Sequence, residues 1–127
     1  MSFLFNPNRG LILVKAEVVG PNGSAFIRLA LDTGATHTLV RMGVLVALGY
    51  DPANSLQRVQ VTTASGVEFT PRVVLDKISA LGHEHRGLLV VSHTLPPSAS
   101  VDGLLGLDFL RGLALTIDFR SGRLHLA

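Results

Sequence analysis

The chain contains no cysteine and few charged residues, and each of these features limits the classes of protein and the kinds of site that the sequence can form. Without cysteine it has no disulfide scaffold, no cysteine nucleophile and no cysteine-ligated zinc site, although this says little about compartment. Charged residues make up 16% of the 127 residues, against about 25% in an average domain, while the apolar share of 47% is ordinary. Long-range disorder is therefore excluded. We expect part of the apolar surface to be covered by a partner subunit.

The sequence also lacks a basic cluster and a long apolar run. Its nine Arg and two Lys are scattered along the chain against nine acidic residues, so nucleic-acid binding is not predicted. No apolar stretch reaches the ~18 residues that a membrane span needs. The apolar run at the start of the chain ends at Asn6 and Pro7 and is too short for the hydrophobic core of a signal peptide. We therefore predict no membrane contact for the chain as given. The cytoplasm is the default expectation for its location, and an anchor missing from this chain is left open.

Length and pattern predict a single all-β domain over residues 1–127. No repeat, low-complexity tract or linker divides the chain. Short runs of alternating or β-branched residues are separated by turn residues, and the predicted strands are 11–19, 25–31, 56–63, 67–75, 77–81, 87–92, 113–119 and 123–126. Helical patterns are confined to residues 41–48, ended by Gly49, and to a turn at residues 109–112.

The most informative segment is residues 29–36, in which an apolar strand ends in a carboxylate. Asp32 lies on the face opposite the apolar row of that strand. Gly34 permits a tight turn that a side chain would obstruct, and the small Ala35 leaves room for a molecule to approach the carboxylate. From this segment alone two interpretations stay open: a catalytic Asp32, or an Asx turn in which Asp32 caps its own backbone.

A second segment, residues 101–110, lies about 70 residues further along and contains Leu104-Leu105-Gly106. Between the two, residues 56–75 predict a β-hairpin with its tip at Ala64-Ser65-Gly66, where glycine accepts a positive φ. In this order and spacing, the three segments resemble the retropepsin-like aspartic proteases, the family of the retroviral proteases and their cellular and bacterial relatives. The resemblance covers about residues 10–126. It implies a closed, barrel-like, mostly β fold with a flap hairpin and one or two short helices.

The resemblance also implies roles for individual residues. Asp32 would be the catalytic acid and base, and Thr33 would exchange hydroxyl hydrogen bonds with its counterpart across a dimer axis. Gly34 would offer its carbonyl to the substrate, and Ala35 would border the site. The segment expected to pack beneath the carboxylate is Leu104, Leu105 and Gly106, and the flap residues expected to reach the substrate are Ala64, Ser65 and Gly66. The family uses no metal and no cofactor.

Two positions depart from the retroviral pattern. Retroviral members carry an acidic residue just after Asp-Thr-Gly-Ala and an Arg right after the later Gly, and the two side chains pair. Thr36 and Leu107 occupy these positions here, so both partners are absent together. The outer brace of the site must therefore differ, and the retroviral pattern of substrate contacts is not carried over.

A single Asp-Thr-Gly motif predicts an assembly. Peptide hydrolysis by carboxylates needs an acid and a base at the same moment, and two carboxylates about 3 Å apart share one proton that serves both roles. The expected protein is a homodimeric aspartic endopeptidase acting on peptides or proteins, with Asp32 facing Asp32 of a second copy. The strands at 113–119 and 124–126 are expected at the interface. The alternative is a catalytically silent domain of the same fold that dimerises or binds peptides.

Two further acids are weaker candidates for a second carboxylate within the chain. Asp102 precedes a glycine, and Asp102-Gly103 suits a turn. Asp108 precedes a short helical pattern and suits a helix cap. Both therefore have simpler structural interpretations.

The histidines are also weak candidates. His83 and His85 would share one side of a strand and, with Glu84 and His93, suggest metal ligands. The glycines at positions 82 and 87 favour an exposed hairpin turn instead. His37 lies close to Asp32 in the sequence, and we interpret it as a solvated loop residue, with a substrate contact as the alternative.

Overall fold

A computed structural model describes residues 1–63, 66–96 and 98–127, and it shows a mostly β chain with two short helices. The strands are β1 (Ser2–Leu4), β2 (Leu13–Gly20), β3 (Gly23–Leu31), β4 (Leu39–Arg41), β5 (Arg58–Thr63), β6 (Gly66–Val74), β7 (Lys77–Ala80), β8 (His83–His85), β9 (Leu89–His93), β10 (Gly103–Leu105), β11 (Leu115–Asp118) and β12 (Arg123–Leu126). The helices are α1 (Met42–Ala47) and α2 (Leu107–Leu110), and a 3-10 turn covers Pro52–Asn54. Within these described ranges, no helix has the length and apolar character to cross a membrane. The predicted mostly β class with one or two short helices is confirmed.

The strands form two sheets. The larger one has the order β5-β6-β9-β4-β10-β3-β2-β7-β8, and the smaller one has the order β1-β12-β11. Most neighbours are antiparallel, but β10 runs parallel to β3 and β4 runs parallel to β9. The pairing of β3 with β10 brings the two motifs together, because the strand that leads into Asp32 lies beside the strand that contains Leu104 and Leu105.

Alternation along β2 and β3 builds the core. Val14, Ala16 and Val18 point inward from β2, and Ile27 and Leu29 point inward from β3. They pack with fully buried side chains from both helices and from β10, namely Leu45, Leu105 and Phe109. The inward apolar faces of β2 and β3 are thus buried within one chain, as the period-two pattern predicts.

The segment around His83 differs from its prediction. An exposed turn was expected over residues 82–86, but residues 83–85 form β8, which pairs with β7. The turn lies earlier, at Leu81 and Gly82, whose φ angles are 53° and 77°. Consecutive left-handed residues suit a tight hairpin, but leucine rarely adopts a positive φ, so the pattern did not indicate this turn.

The β11–β12 hairpin was expected at a dimer interface, and part of it lies in the core instead. Leu124 and Leu126 are only 1% and 4% exposed within the single chain, whereas Phe119 is 64% exposed. The turn after β11 is closed by Asp118, which accepts backbone hydrogen bonds from Ser121 and Arg120. These bonds lower the pKa of the Asp118 carboxyl. Removal of residues 124–127 would therefore destabilise the protomer itself.

Candidate active site

Asp32 lies in a tight turn directly after β3. Its backbone N–H donates to the carbonyl oxygen of Leu105 over 3.0 Å, which fixes the turn to β10. The N–H of Gly34 donates to Asp32 Oδ1 over 2.9 Å, and the N–H of Ala35 donates to the Asp32 carbonyl over 3.2 Å. Asp32 is half-buried, and Thr33 is exposed. The Asx turn is therefore present, and it orients the carboxylate without burying it, so the two interpretations of the motif do not exclude each other.

The second motif holds the Asp32 loop from beneath. The N–H of Leu107 donates to the Ala35 carbonyl over 2.8 Å, and the N–H of Asp108 donates to the Thr36 carbonyl over 3.3 Å. This approach requires glycine at position 106, because a Cβ there would lie 2.8 Å from the Ala35 and His37 carbonyl oxygens. The expected packing of Leu104-Leu105-Gly106 against the Asp32 segment is what the structure shows.

Thr38 and Asp108 form a brace between the loop and α2. The Thr38 hydroxyl donates to Asp108 Oδ1 over 2.6 Å, and the Thr38 N–H lies 2.9 Å from both carboxylate oxygens. The same hydroxyl accepts the Gly106 N–H over 3.1 Å, and Thr38 is fully buried. This brace lies close to the positions where the retroviral acid–Arg pair is missing. Asp108 does not take the cap position predicted for it, because α2 begins at Leu107 with Gly106 in that position, but Asp108 Oδ1 accepts the Phe109 N–H of the first turn over 2.8 Å.

The brace predicts an ordering of two variants at position 38. Thr38→Val leaves the buried Gly106 N–H without its acceptor and removes one of the donors to Asp108 Oδ1, so we expect a loss of about 3 kcal/mol in the free energy of unfolding. Thr38→Ser keeps the hydroxyl and removes only one methyl group, which costs about 1 kcal/mol. Urea unfolding of both variants checks this ordering, and a Val variant as stable as the Ser variant would contradict the brace.

Asp102 is engaged elsewhere and does not approach Asp32. One of its carboxylate oxygens accepts the Arg28 N–H over 3.0 Å, and the other lies 3.7 Å from Arg41 Nε. The register pairs Gly103 with Leu29, so Asp102 lies level with Arg28, four residues before Asp32 and roughly 13 Å away along the strand. The structure therefore brings neither Asp102 nor the braced Asp108 to Asp32 as a second carboxylate.

The side chains of residues 83–85, considered above as metal ligands, make contacts with other parts of the protein. His83 Nε2 donates to the Leu126 carbonyl over 2.8 Å, and the His85 ring lies 5.5 Å from the Phe109 ring. Glu84 pairs with Lys77 and Arg86 on the other side of β8. Over residues 1–63, 66–96 and 98–127, no three acidic or histidine side chains are placed to hold a metal ion.

The predicted hairpin is formed by β5 and β6. The pairing runs from Arg58 opposite Pro71 to Thr63 opposite Gly66, and Gly66 has a φ of 123°, as expected for the glycine of the tip. Ala64 and Ser65 lie outside the described residues. β6 pairs with β9 at residues 72–74, and the rest of the hairpin extends beyond this pairing. Exposed apolar side chains along it include Val67 and Phe69.

A cavity of about 560 Å³ lies on another part of the molecule. It is lined by residues of β1, β2, β3, β7, β8 and β12, among them Phe3, Lys15 and Phe26. The Asp32 loop does not contribute to its lining. The turn that carries Asp32 therefore belongs to a different face from this cavity.

A strand that ends in Asp-Thr-Gly and is held by a neighbouring Leu-Leu-Gly strand, in a mostly β chain, defines the class of the retropepsin-like aspartic proteases. The chain belongs to the aspartyl protease family, whose model matches residues 14–109. Among solved structures it is similar to a retropepsin-like aspartic protease from Rickettsia conorii, with a TM-score of 0.72 and 21% identity over 100% of this chain and 91% of that one. No curated protein matches the sequence. The predicted family is confirmed, and the structural likeness at this identity confirms the fold.

Proposed function

We propose that the protein is a homodimeric aspartic endopeptidase in which Asp32 of two copies forms the catalytic dyad. The observation that carries this proposal is the Asp32 turn. The Gly34 N–H orients the carboxylate, and the bond from the Asp32 N–H to the Leu105 carbonyl fixes the turn. The acids of the second motif are engaged with Arg28, Arg41 and Thr38, which supports a second copy of the chain as the source of the second carboxylate.

The dyad would work by general acid–base catalysis. Two neighbouring carboxylates share one proton, because both cannot be ionised at so short a distance. The ionised carboxylate takes a proton from a water molecule, whose oxygen attacks the peptide carbonyl carbon, while the protonated carboxylate gives its proton to the carbonyl oxygen. The resulting tetrahedral intermediate breaks its C–N bond as the protonated carboxyl group gives its proton to the leaving nitrogen and the ionised carboxylate takes a proton from one hydroxyl of the intermediate. No covalent enzyme intermediate forms in this scheme.

Other residues would support this reaction. Thr33 is exposed beside Asp32 and available to a hydroxyl of a second copy. Gly34 and Ala35 form the floor of the turn, and the β5–β6 hairpin with Ala64, Ser65 and Gly66 would close over the substrate as a flap. The substrate would be a peptide or an unfolded protein segment in extended form, since the flanking elements are strands.

The direct test is a peptide-library digestion with and without a peptide analogue that carries a hydroxyl in place of the scissile carbonyl. We expect cleavage in the library and its loss in the presence of the analogue, because the analogue resembles the tetrahedral intermediate. Binding of the analogue without any cleavage would support the silent peptide-binding domain instead. The absence of both binding and cleavage would contradict the proposed function.

The shared site also predicts that activity depends on protein concentration. Specific activity should fall on dilution below the dissociation constant of the dimer, since a protomer holds only one Asp32. Sedimentation and activity should be measured over the same dilution series. A fully active monomer at every dilution would rule out the dyad. Dilution is a cleaner test than truncation of β12, because Leu124 and Leu126 belong to the core of the protomer.

A further inference from the structure

Arg72 connects the flap strand to the Asp32 loop without a carboxylate partner. Its Nη2 lies 3.3 Å from His37 Nδ1 and donates to the Leu89 carbonyl over 3.1 Å. Its Nε is buried and has no hydrogen-bond partner within the described part of the chain. The ion pairs found there use Arg41, Lys77, Arg86 and His93, and none involves Arg72.

This arrangement is unusual for a guanidinium. Buried charges are normally paired, and arginine presents planar donors that match the two oxygens of a carboxylate. Arg41 differs in this respect, because its Nε also lacks a hydrogen bond but lies 3.7 Å from the Asp102 carboxylate. Arg72 instead faces an imidazole, which can be neutral or cationic but never anionic. Arg72 is half-buried, and within the part of the chain that the structure describes no carboxylate lies at ion-pair distance from it.

The contact also fixes the proton on His37. An arginine nitrogen can only donate, so His37 Nδ1 must accept the hydrogen bond, and the proton of the neutral imidazole is on Nε2. In residues 1–63, 66–96 and 98–127 no acceptor for this second nitrogen is found. Arg72 Nε is fully enclosed, so the donors left for a ligand are Arg72 Nη1 and His37 Nε2, which have no partner among the described residues.

The position of the pair connects it to the site. His37 lies five residues after Asp32, in the loop whose carbonyls at Ala35 and Thr36 are held by the backbone beneath it. Arg72 lies on β6, which continues from the predicted flap tip. The pair therefore marks the junction between the Asp32 loop and the base of the hairpin, where β6 pairs with β9; in the proposed function these two elements flank the substrate.

We propose that Arg72 and His37 form a subsite that binds an acidic side chain of the substrate, so that the protein prefers peptides with Glu or Asp close to the scissile bond. This proposal rests on the proposed peptidase function of the Asp32 site. The substrate carboxylate would supply the anion that Arg72 lacks, and it would accept the two available N–H groups.

The test compares pairs of peptides that differ only in Glu against Gln. Starting from a peptide that the wild type cleaves, Glu and Gln are placed at each position around the scissile bond in turn, and kcat and KM are measured. We expect one position at which Glu raises kcat/KM about tenfold or more over Gln, mainly through KM, as for a charge-assisted hydrogen bond. Arg72→Gln should reduce this preference to about twofold. The matched control Arg86→Gln, on the distant strand edge, should keep the preference.

A binding assay separates this proposal from the proposed function. Dissociation constants of the same peptide pairs are measured on Asp32→Asn, alone and combined with Arg72→Gln. If the wild type cleaves nothing but the Glu peptide binds more tightly in an Arg72-dependent way, the peptidase function fails and the subsite stands. His37→Leu, which removes the second donor, should weaken the preference severalfold and serves if Arg72→Gln does not fold. No Glu preference at any position in either assay, or an unchanged one in these variants, would overturn the subsite.

Discussion

Asp32→Asn is expected to lower kcat/KM by about a thousandfold or more, because an amide cannot take the proton of the attacking water. The fold should survive the change. The Asn side chain keeps an oxygen at the Oδ1 position, which still accepts the Gly34 N–H, and the bond from the Asp32 N–H to Leu105 involves the backbone alone. The variant should also dimerise, since the two side chains remain compatible in size.

This prediction is checked by steady-state kinetics on a cleaved peptide, with thermal unfolding and sedimentation of the same preparations. Asp76→Asn is a matched control, because it makes the same chemical change at an exposed acid outside both motifs. The control should retain wild-type activity. Hydrolysis by Asp32→Asn at more than background, in a preparation free of contaminating protease, would contradict the dyad.

The parts of the fold that the sequence predicts are those with a local signal. The alternation in residues 25–31 predicts β3 and places Asp32 at its end, and the glycine at position 66 has the positive φ expected for a hairpin. The family resemblance places Leu104-Leu105-Gly106 beneath the Asp32 segment, and in the structure the Leu105 carbonyl accepts the Asp32 backbone N–H. Strands of three residues, such as β4 and β10, are too short to give a period and were not predicted.

The parts that were missed depend on contacts between distant segments. Thr38 and Asp108 are 70 positions apart, and a threonine in a loop and an aspartate beside a helix each have an ordinary local explanation. Their pairing follows from the parallel alignment of β10 with β3, which no local pattern encodes. The same holds for Arg72 and His37, which meet only because β6 reaches the Asp32 loop.

Gly103 is another residue for which the structure differs from the prediction. Asp102-Gly103 was expected to form a turn, but Gly103 is the first residue of β10 and is paired with Leu29 on one side and Val40 on the other. A Cβ at this position would overlap the carbonyl oxygen of Leu39 and lie 3.1 Å from Leu29 Cδ2. Glycine within a strand often marks such a close approach of another backbone.

Gly103→Ala is therefore expected to destabilise the protein by more than about 4 kcal/mol, a large share of the roughly 5–15 kcal/mol that stabilises a domain. The oxygen that the new methyl would meet belongs to the backbone of β4, so β10 must move, and Leu105 moves with its hold on Asp32. Activity should fall with stability for that reason.

Gly43→Ala is the control, because Gly43 lies exposed in α1 with its nearest neighbouring atom 4.0 Å from the added Cβ, and alanine there should stabilise by about 0.5–1 kcal/mol. Urea unfolding of both variants decides the matter: a Gly103→Ala protein within about 1 kcal/mol of wild type would mean that β3, β10 and β4 are spaced more widely than the structure shows.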